Sequence, residues 1–340
     1  MTPAAQRAAA PAARRLRRVA VRAVAEPLAR PAGDAGANGG PAHAGSSIPI
    51  TSVGAGAAAL AFAPPPPPPA AINIPDPIPG VLPPAAVYAK VVDGGAGKAA
   101  LPWQKVLVLG IMAGVYIGFG ALLSQVVGGN CPGLAAANPG MQKMLVGAIG
   151  LPVGLMLVLI CGGELFTGNT AFVTAAALEG RASPRQLAKS WACSYIGNAI
   201  GTALFISAIC ASGLMATATA PPAAAVAKTS LAFGTAFVRG VLCNMFVCLG
   251  IWQATAATSL TGKFVGSWLP VSAFAAIGFE HSVANMFLVP MGIALGAPVA
   301  LSTFLTANLL PVTLGNIVGG VLVALAYAYS FGSLGKPKTA

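Results

Sequence analysis

Apolar residues dominate this chain from about residue 100 to its end, in blocks long enough to cross a bilayer. The first runs from Val106 to Val127. The second runs from Lys143 to Cys161 and continues from Asn169 to Leu178. The third is Leu187 to Leu214 and the fourth Leu231 to Ala257. The fifth runs from Ser267 to Gly278 and again from Ala284 to Leu295. The last is Asn308 to Phe331. A spanning helix needs about 20 such residues. The pattern predicts an all-α integral membrane protein of six transmembrane helices, with the second and fifth each broken by a polar segment.

Both breaks carry the same pattern, Gly-x-Glu-x-x-x-x-Asn, once from Gly162 through Glu164 to Asn169 and once from Gly278 through Glu280 to Asn285. A carboxylate inside an apolar span is costly, so it marks a functional site by default. The matching extends outward. Gly110 and Gly120 in span one correspond to Gly240 and Gly250 in span four. Asn198 between Gly197 and Gly201 corresponds to Asn316 between Gly315 and Gly319. Each half has three spans, an odd number, so the two repeats must be inverted relative to each other.

Composition sharpens this picture. The chain is 56% hydrophobic and 8% charged, which excludes an ordinary soluble domain. Its net charge of +12 does not suggest nucleic acid, because seven of the nineteen basic residues fall in the first thirty and no basic-aromatic cluster follows. Lys98, Lys105, Arg181, Arg185, Lys189, Lys263, Lys336 and Lys338 fall on one side of the predicted spans. Lys143 and Lys228 fall on the other. This places both termini on one face, cytosolic in a bacterium or stromal in a plastid. The six cysteines lack metal-ligand spacing, and at least four read as small buried apolar residues. The residues call for no cofactor and form no nucleophile-base constellation, so the chain does not read as an enzyme.

Residues 1–25 contain six arginines and no acidic residue, which is transit-peptide chemistry for a plastid or a mitochondrion. Residues 26–97 are Ala-, Pro- and Gly-rich, with an unbroken run from Pro64 to Pro69, and read as a disordered linker. The membrane domain is expected over 98–335, with a short tail at 336–340.

Several residues carry candidate chemistry. His281, beside Glu280 in the second break, can offer an anion a hydrogen bond or a proton. A structural histidine bonded to nearby backbone is the other reading. Glu164 and Glu280 could bind a cation, or accept hydrogen bonds from N–H groups freed by the breaks; the second is preferred. Asn169, Asn198, Asn285 and Asn316 suit the same scaffolding task. Lys228 could draw anions into a vestibule, or be an ordinary surface lysine. Arg239, about two turns into span four, is expected to anchor or pair within the bundle.

The segments Glu-Leu-Phe-Thr-Gly-Asn (164–169), Arg-Gly-Val-Leu-Cys-Asn (239–244), Gly-Phe-Glu-His-Ser-Val-Ala-Asn-Met-Phe (278–287) and Asn-Leu-Leu-Pro-Val-Thr-Leu-Gly-Asn (308–316) resemble the formate/nitrite transporter family over residues 100–335. With the N-terminal extension, the resemblance runs toward green-algal plastid members that handle nitrite or bicarbonate. It implies an aquaporin-like protomer in a membrane homopentamer, with one pore per protomer for a small monovalent anion. It implies that His281 is the central pore histidine, Thr167 the loop threonine, and Lys228 and Asn244 the vestibule pair. It implies one constriction at Leu155 and Leu165 and another at Phe274 and Leu151, where many relatives carry an aromatic in place of Leu151. The implied function is plastid-envelope passage of nitrite, with formate also accepted. The alternatives are a bicarbonate channel, a neutral-solute pore, a membrane scaffold, or a mitochondrial inner-membrane location.

Overall fold

The computed structural model describes residues 80–335. The transit-peptide reading of residues 1–25, the linker reading up to residue 79 and the tail at 336–340 lie outside the described residues.

One expectation is corrected at the start of the described region. The linker was expected to reach residue 97, but Pro84–Ala100 is a helix, α1. Its buried side is Val87, Tyr88, Val91, Val92, Gly95 and Ala99, a stripe at helical spacing. Small residues there let the backbone come close to its neighbour. A Cβ on Gly95 would lie 2.0 Å from the carbonyl oxygen of Phe172.

Six helices then have the length and apolar character to cross a membrane. The first is α2, Trp103–Val127. A short turn, α3 (Pro132–Ala137), leads to the second span, built from α4 (Pro139–Ile149) and α5 (Leu151–Cys161). After the first break comes the buried half-helix α6, Phe166–Leu178. The third span is α7, Pro184–Ser212, opened by a Ser183–Gln186 capping box and Pro184. The second half starts with α8 (Ala220–Thr229), followed by α9 (Phe233–Ala256), α10 (Leu260–Ile277) and the half-helix α11 (Ser282–Ala294). The last span joins α12 (Leu301–Thr303), a π-helical segment (Phe304–Leu309) and α13 (Leu310–Phe331).

The span count and both breaks agree with the sequence pattern. Each break starts at a glycine in positive φ, Gly162 at +85° and Gly278 at +90°, a conformation that L side chains avoid. The last span begins earlier than Asn308, because a π-helical insertion carries the helix upstream and turns Asn308 fully inward.

The two halves pack alike. Gly110 of α2 meets Gly197 of α7, and Gly240 of α9 meets Gly315 of α13. A Cβ on Gly201 would strike the Ile111 carbonyl at 2.0 Å, and one on Gly319 the Val241 carbonyl at 2.3 Å. Glycine at these crossings lets the spans touch backbone to backbone. The outward surface is apolar, with Val108, Leu204, Val265 and Leu269 exposed. Only Cys243 and Cys248 of the six cysteines are buried. Four had been expected, but much of the apolar surface of the spans faces outward.

Candidate functional site: an apolar chamber between two broken helices

Each break closes on its own polar cluster, and the two clusters repeat each other. In the first half, Lys98 Nζ donates to Glu164 Oε1 at 2.7 Å, and Asn169 donates to Glu164 Oε2 at 2.8 Å. Asn169 also donates to Ser190. Asn198 donates to the carbonyls of Gly110 and Glu164 and accepts from the amide of Phe166. In the second half, Lys228 Nζ donates to both oxygens of Glu280 at 3.0 and 3.1 Å, and Asn285 donates to Glu280 Oε2 at 2.7 Å. Asn285 also donates to Asn308. Asn316 donates to the carbonyls of Gly240 and Glu280 and accepts from the amide of Ser282.

This changes the role expected of the glutamates. Asn198 and Asn316, not the carboxylates, satisfy backbone groups at the breaks, while Asn169 and Asn285 hold the carboxylates themselves. Glu164 and Glu280 accept from lysine and asparagine side chains instead. Both are almost fully buried, and a buried carboxylate is tolerable only when paired in this way. The backbone amides of the two glutamates reach neighbouring spans, at Leu109 and Arg239. Arg239 itself is exposed and forms no ion pair among the described residues, so the expectation that it pairs within the bundle is not met.

Between the clusters lies a narrow chamber of about 10 Å³, lined by Ile117, Leu151, Leu155, Leu165, Val247, Val271, Phe274 and His281. That is room for one water at most. Leu165 also faces a cavity of about 570 Å³ on the Lys98 side. Leu151, Phe274 and His281 also face a cavity of about 210 Å³ on the Lys228 side. The path therefore runs vestibule, Leu165, apolar chamber, Leu151 with Phe274, vestibule.

His281 caps α11, with its Nδ1 accepting from the Ala284 amide at 2.9 Å. With Nδ1 an acceptor, the neutral ring carries its proton on Nε2. Nε2 lies 3.0 Å from Thr167 Oγ1, at the start of α6. The phenyl ring of Phe274 stacks on the imidazole at 5.9 Å between centroids. The structural reading of His281 is met at Nδ1, while the ring also lines the chamber and sets Nε2 against Thr167. The N-termini of α6 and α11 both end at this point, so their dipoles favour negative charge there.

A profile of the family described as "Formate/nitrite transporter" matches residues 85–329. The chain belongs to the formate/nitrite transporter family. It is 45% identical over 259 residues to a protein named "Probable formate transporter" from Methanothermobacter thermautotrophicus, covering 69% of this chain and 91% of that one. It is 37% identical over 271 residues to the formate channel FocA of Escherichia coli, covering 73% and 93%. A solved structure described as an "FNT family ion channel" matches with a TM-score of 0.66 at 32% identity, over 72% of this chain and 98% of its own. Another, "Pentameric formate channel with formate bound", matches with a TM-score of 0.60 at 33% identity, over 68% and 98%.

This formate/nitrite transporter is thus a multi-pass anion transporter, not an enzyme. Its structure brings together His281, Leu151, Leu155, Leu165 and Phe274 around one chamber, with Thr167 buried behind His281 and in contact with its Nε2. It separates the expected vestibule pair. Lys228 lines its vestibule, but Asn244 is fully buried and donates to the carbonyls of Thr167 and Asn316 and to Thr170 Oγ1. Asn244 is a brace for the Thr167 loop. Sequence reasoning missed Lys98 as a site residue. The repeat itself carried the signal: Lys98 stands twelve residues before Gly110, as Lys228 does before Gly240.

Proposed function

We propose that this protein passes formate and nitrite through one pore per protomer, with His281 Nε2–H as the hydrogen-bond donor at its centre. The observation that carries this reading is the narrow apolar chamber between two lysine-bearing vestibules, with a single polar side chain, His281, among its lining residues. A bare anion entering such a chamber loses its hydration at high cost. The imidazole Nε2–H, oriented by the Ala284 amide on Nδ1 and set beside Thr167 Oγ1, restores one strong hydrogen bond at the most costly point. The two half-helix N-termini supply positive potential from either side. An anion crosses hydrogen-bonded to His281, or as its neutral acid after taking a proton from vestibule water.

Nitrite is the proposed cargo in a plastid envelope. The acid-free, arginine-rich residues 1–25 support that location. The pentameric formate-channel structure supports a homopentamer, as does the outward apolar surface.

The test is initial uptake of formate, nitrite and bicarbonate by proteoliposomes, each at several pH values. The proposal expects formate and nitrite to pass far faster than bicarbonate. Faster passage of bicarbonate would sink the substrate assignment. Import into isolated chloroplasts compared with mitochondria tests the location.

A further inference from the structure

Three lysines line the two vestibules, and they are not equivalent. Lys98 and Lys228 are each held by a buried glutamate. Lys263 lines the larger cavity together with Lys98 and Glu164. Its Nζ donates to the carbonyl of Ala254, in the last turn of α9, at 2.9 Å. It has no carboxylate partner among the described residues. An ammonium has three N–H donors, so one is anchored and two remain for water or an anion.

The repeat explains why Lys263 stands apart. The offset that carries Glu164 onto Glu280 carries Gly147 onto position 263. Gly147 is buried against the Ser272 carbonyl and Ala276. Lys263 is therefore no part of the duplicated scaffold. The vestibules differ in another way: Glu164 itself lines the larger cavity, while Glu280 lies behind the lining of the smaller one. A carboxylate facing the entrance repels an anion, and the charge of Lys98 is already spent on it at 2.7 Å. Lys189, on the same face, gives its ammonium to the carbonyl of Ala99 at 2.9 Å and to that of Leu101. Lys189 also stays off the cavity lining, so of the two lysines on that wall Lys263 is the one without a carboxylate partner and with N–H donors to spare.

We propose that Lys263 is the anion-recruiting site of the Lys98-side vestibule, holding a small monovalent oxyanion before it meets Leu165. This rests on the reading of the chain as a formate and nitrite pore. It adds a site on one face only, at a position where the other half has no charge.

The test is sided formate flux in oriented proteoliposomes of the full chain, at about 10 mM and about 500 mM of a non-permeant salt, where screening is weak and strong. For Lys263→Gln at low salt, the half-saturating formate concentration on the Lys263 face should rise about three- to ten-fold. The shift on the Lys228 face should be smaller, and high salt should erase the difference. Lys263→Arg should behave as wild type. Permeability at low formate must fall equally in both directions, as detailed balance requires. An equal shift in half-saturation on both faces, a salt-independent shift, or the same loss in Lys263→Arg would overturn the proposal. Wild-type flux with an unchanged Lys263→Gln would overturn it while leaving the pore reading intact. A wild-type protein that carries no formate or nitrite overturns both.

Discussion

His281 caps α11 through Nδ1 and lines the chamber with the rest of its ring, and substitutions test what the arrangement contributes. His281→Ala removes both the cap on α11 and the donor in the chamber. His281→Asn keeps a good N-cap and an amide donor. Formate uptake should fall at least about ten-fold in the alanine variant, since a lost hydrogen bond to a charged group is worth about 1.5–3 kcal/mol. The asparagine variant should retain more. Unchanged flux and unchanged pH dependence in His281→Ala would remove the histidine from the mechanism. The asparagines make a different kind of contribution. Asn316 serves three buried backbone groups, at Gly240, Glu280 and Ser282. Asn316→Ala strips all three and should cost about 3 kcal/mol or more. Thermal unfolding in detergent checks this, and Asn198→Ala should match it because its three bonds are the repeat of the same set. A clear difference between the two variants would break the equivalence of the halves.

At the scale of elements, α1 is the piece that composition hid. Its Ala and Gly residues resemble the linker before it, yet Val87, Tyr88, Val91 and Val92 form a helical stripe that packs on α6. The broken helices were legible because two costly glutamates stood in matched positions. The polar partners of those glutamates were not, since Lys98 and Ser190 reach Glu164 and Asn169 from helices distant in sequence. Such pairings depend on tertiary packing, which a local pattern does not carry. The seat of α1 is set by polar ties. Tyr88 donates to Glu179 Oε1 at 2.7 Å, and the amide of Ser333 donates to the same carboxylate at 3.0 Å. Arg181 pairs with Asp93. Burial and the Glu179 carboxylate push the Tyr88 hydroxyl well above its ordinary range, so it stays protonated as the donor. Glu179 thus joins α1, the end of α6 and the end of α13. Glu179→Ala should raise amide exchange across residues 84–100 and lower flux, because Lys98 loses its fixed approach to Glu164. Tyr88→Phe should do the same more weakly, by about 1 kcal/mol. Faster exchange without any loss of flux would show that the seat of α1 does not govern the Lys98 contact.

For the whole molecule, the inverted halves and their charged mouths make the pore, and the question is how much chain before them it needs. A scaffold reading assigns function to the proline-rich region, and a pore reading assigns none to it. The boundary of α1 decides how to ask. Deleting residues 26–97 removes nearly all of the helix that carries Lys98, along with Tyr88 and Asp93, so it tests the wrong segment. Deleting residues 26–79 spares everything from Gly80 onward, including the bonds of Leu82 and Gly80 to Ala256 and Thr258. The shorter deletion should leave formate flux in proteoliposomes within about two-fold of wild type, since the polar clusters and cavities described above are built from residues between 80 and 335. The longer one should lose most of it, because Lys98 would keep almost none of the helix that holds it against Glu164, and a buried carboxylate that loses its partner is strongly destabilising. Native mass spectrometry of both proteins adds the assembly. A pentamer that survives the shorter deletion, with flux intact, places the function in residues 80–335. Loss of flux with a stable pentamer would instead assign the proline-rich region a working role.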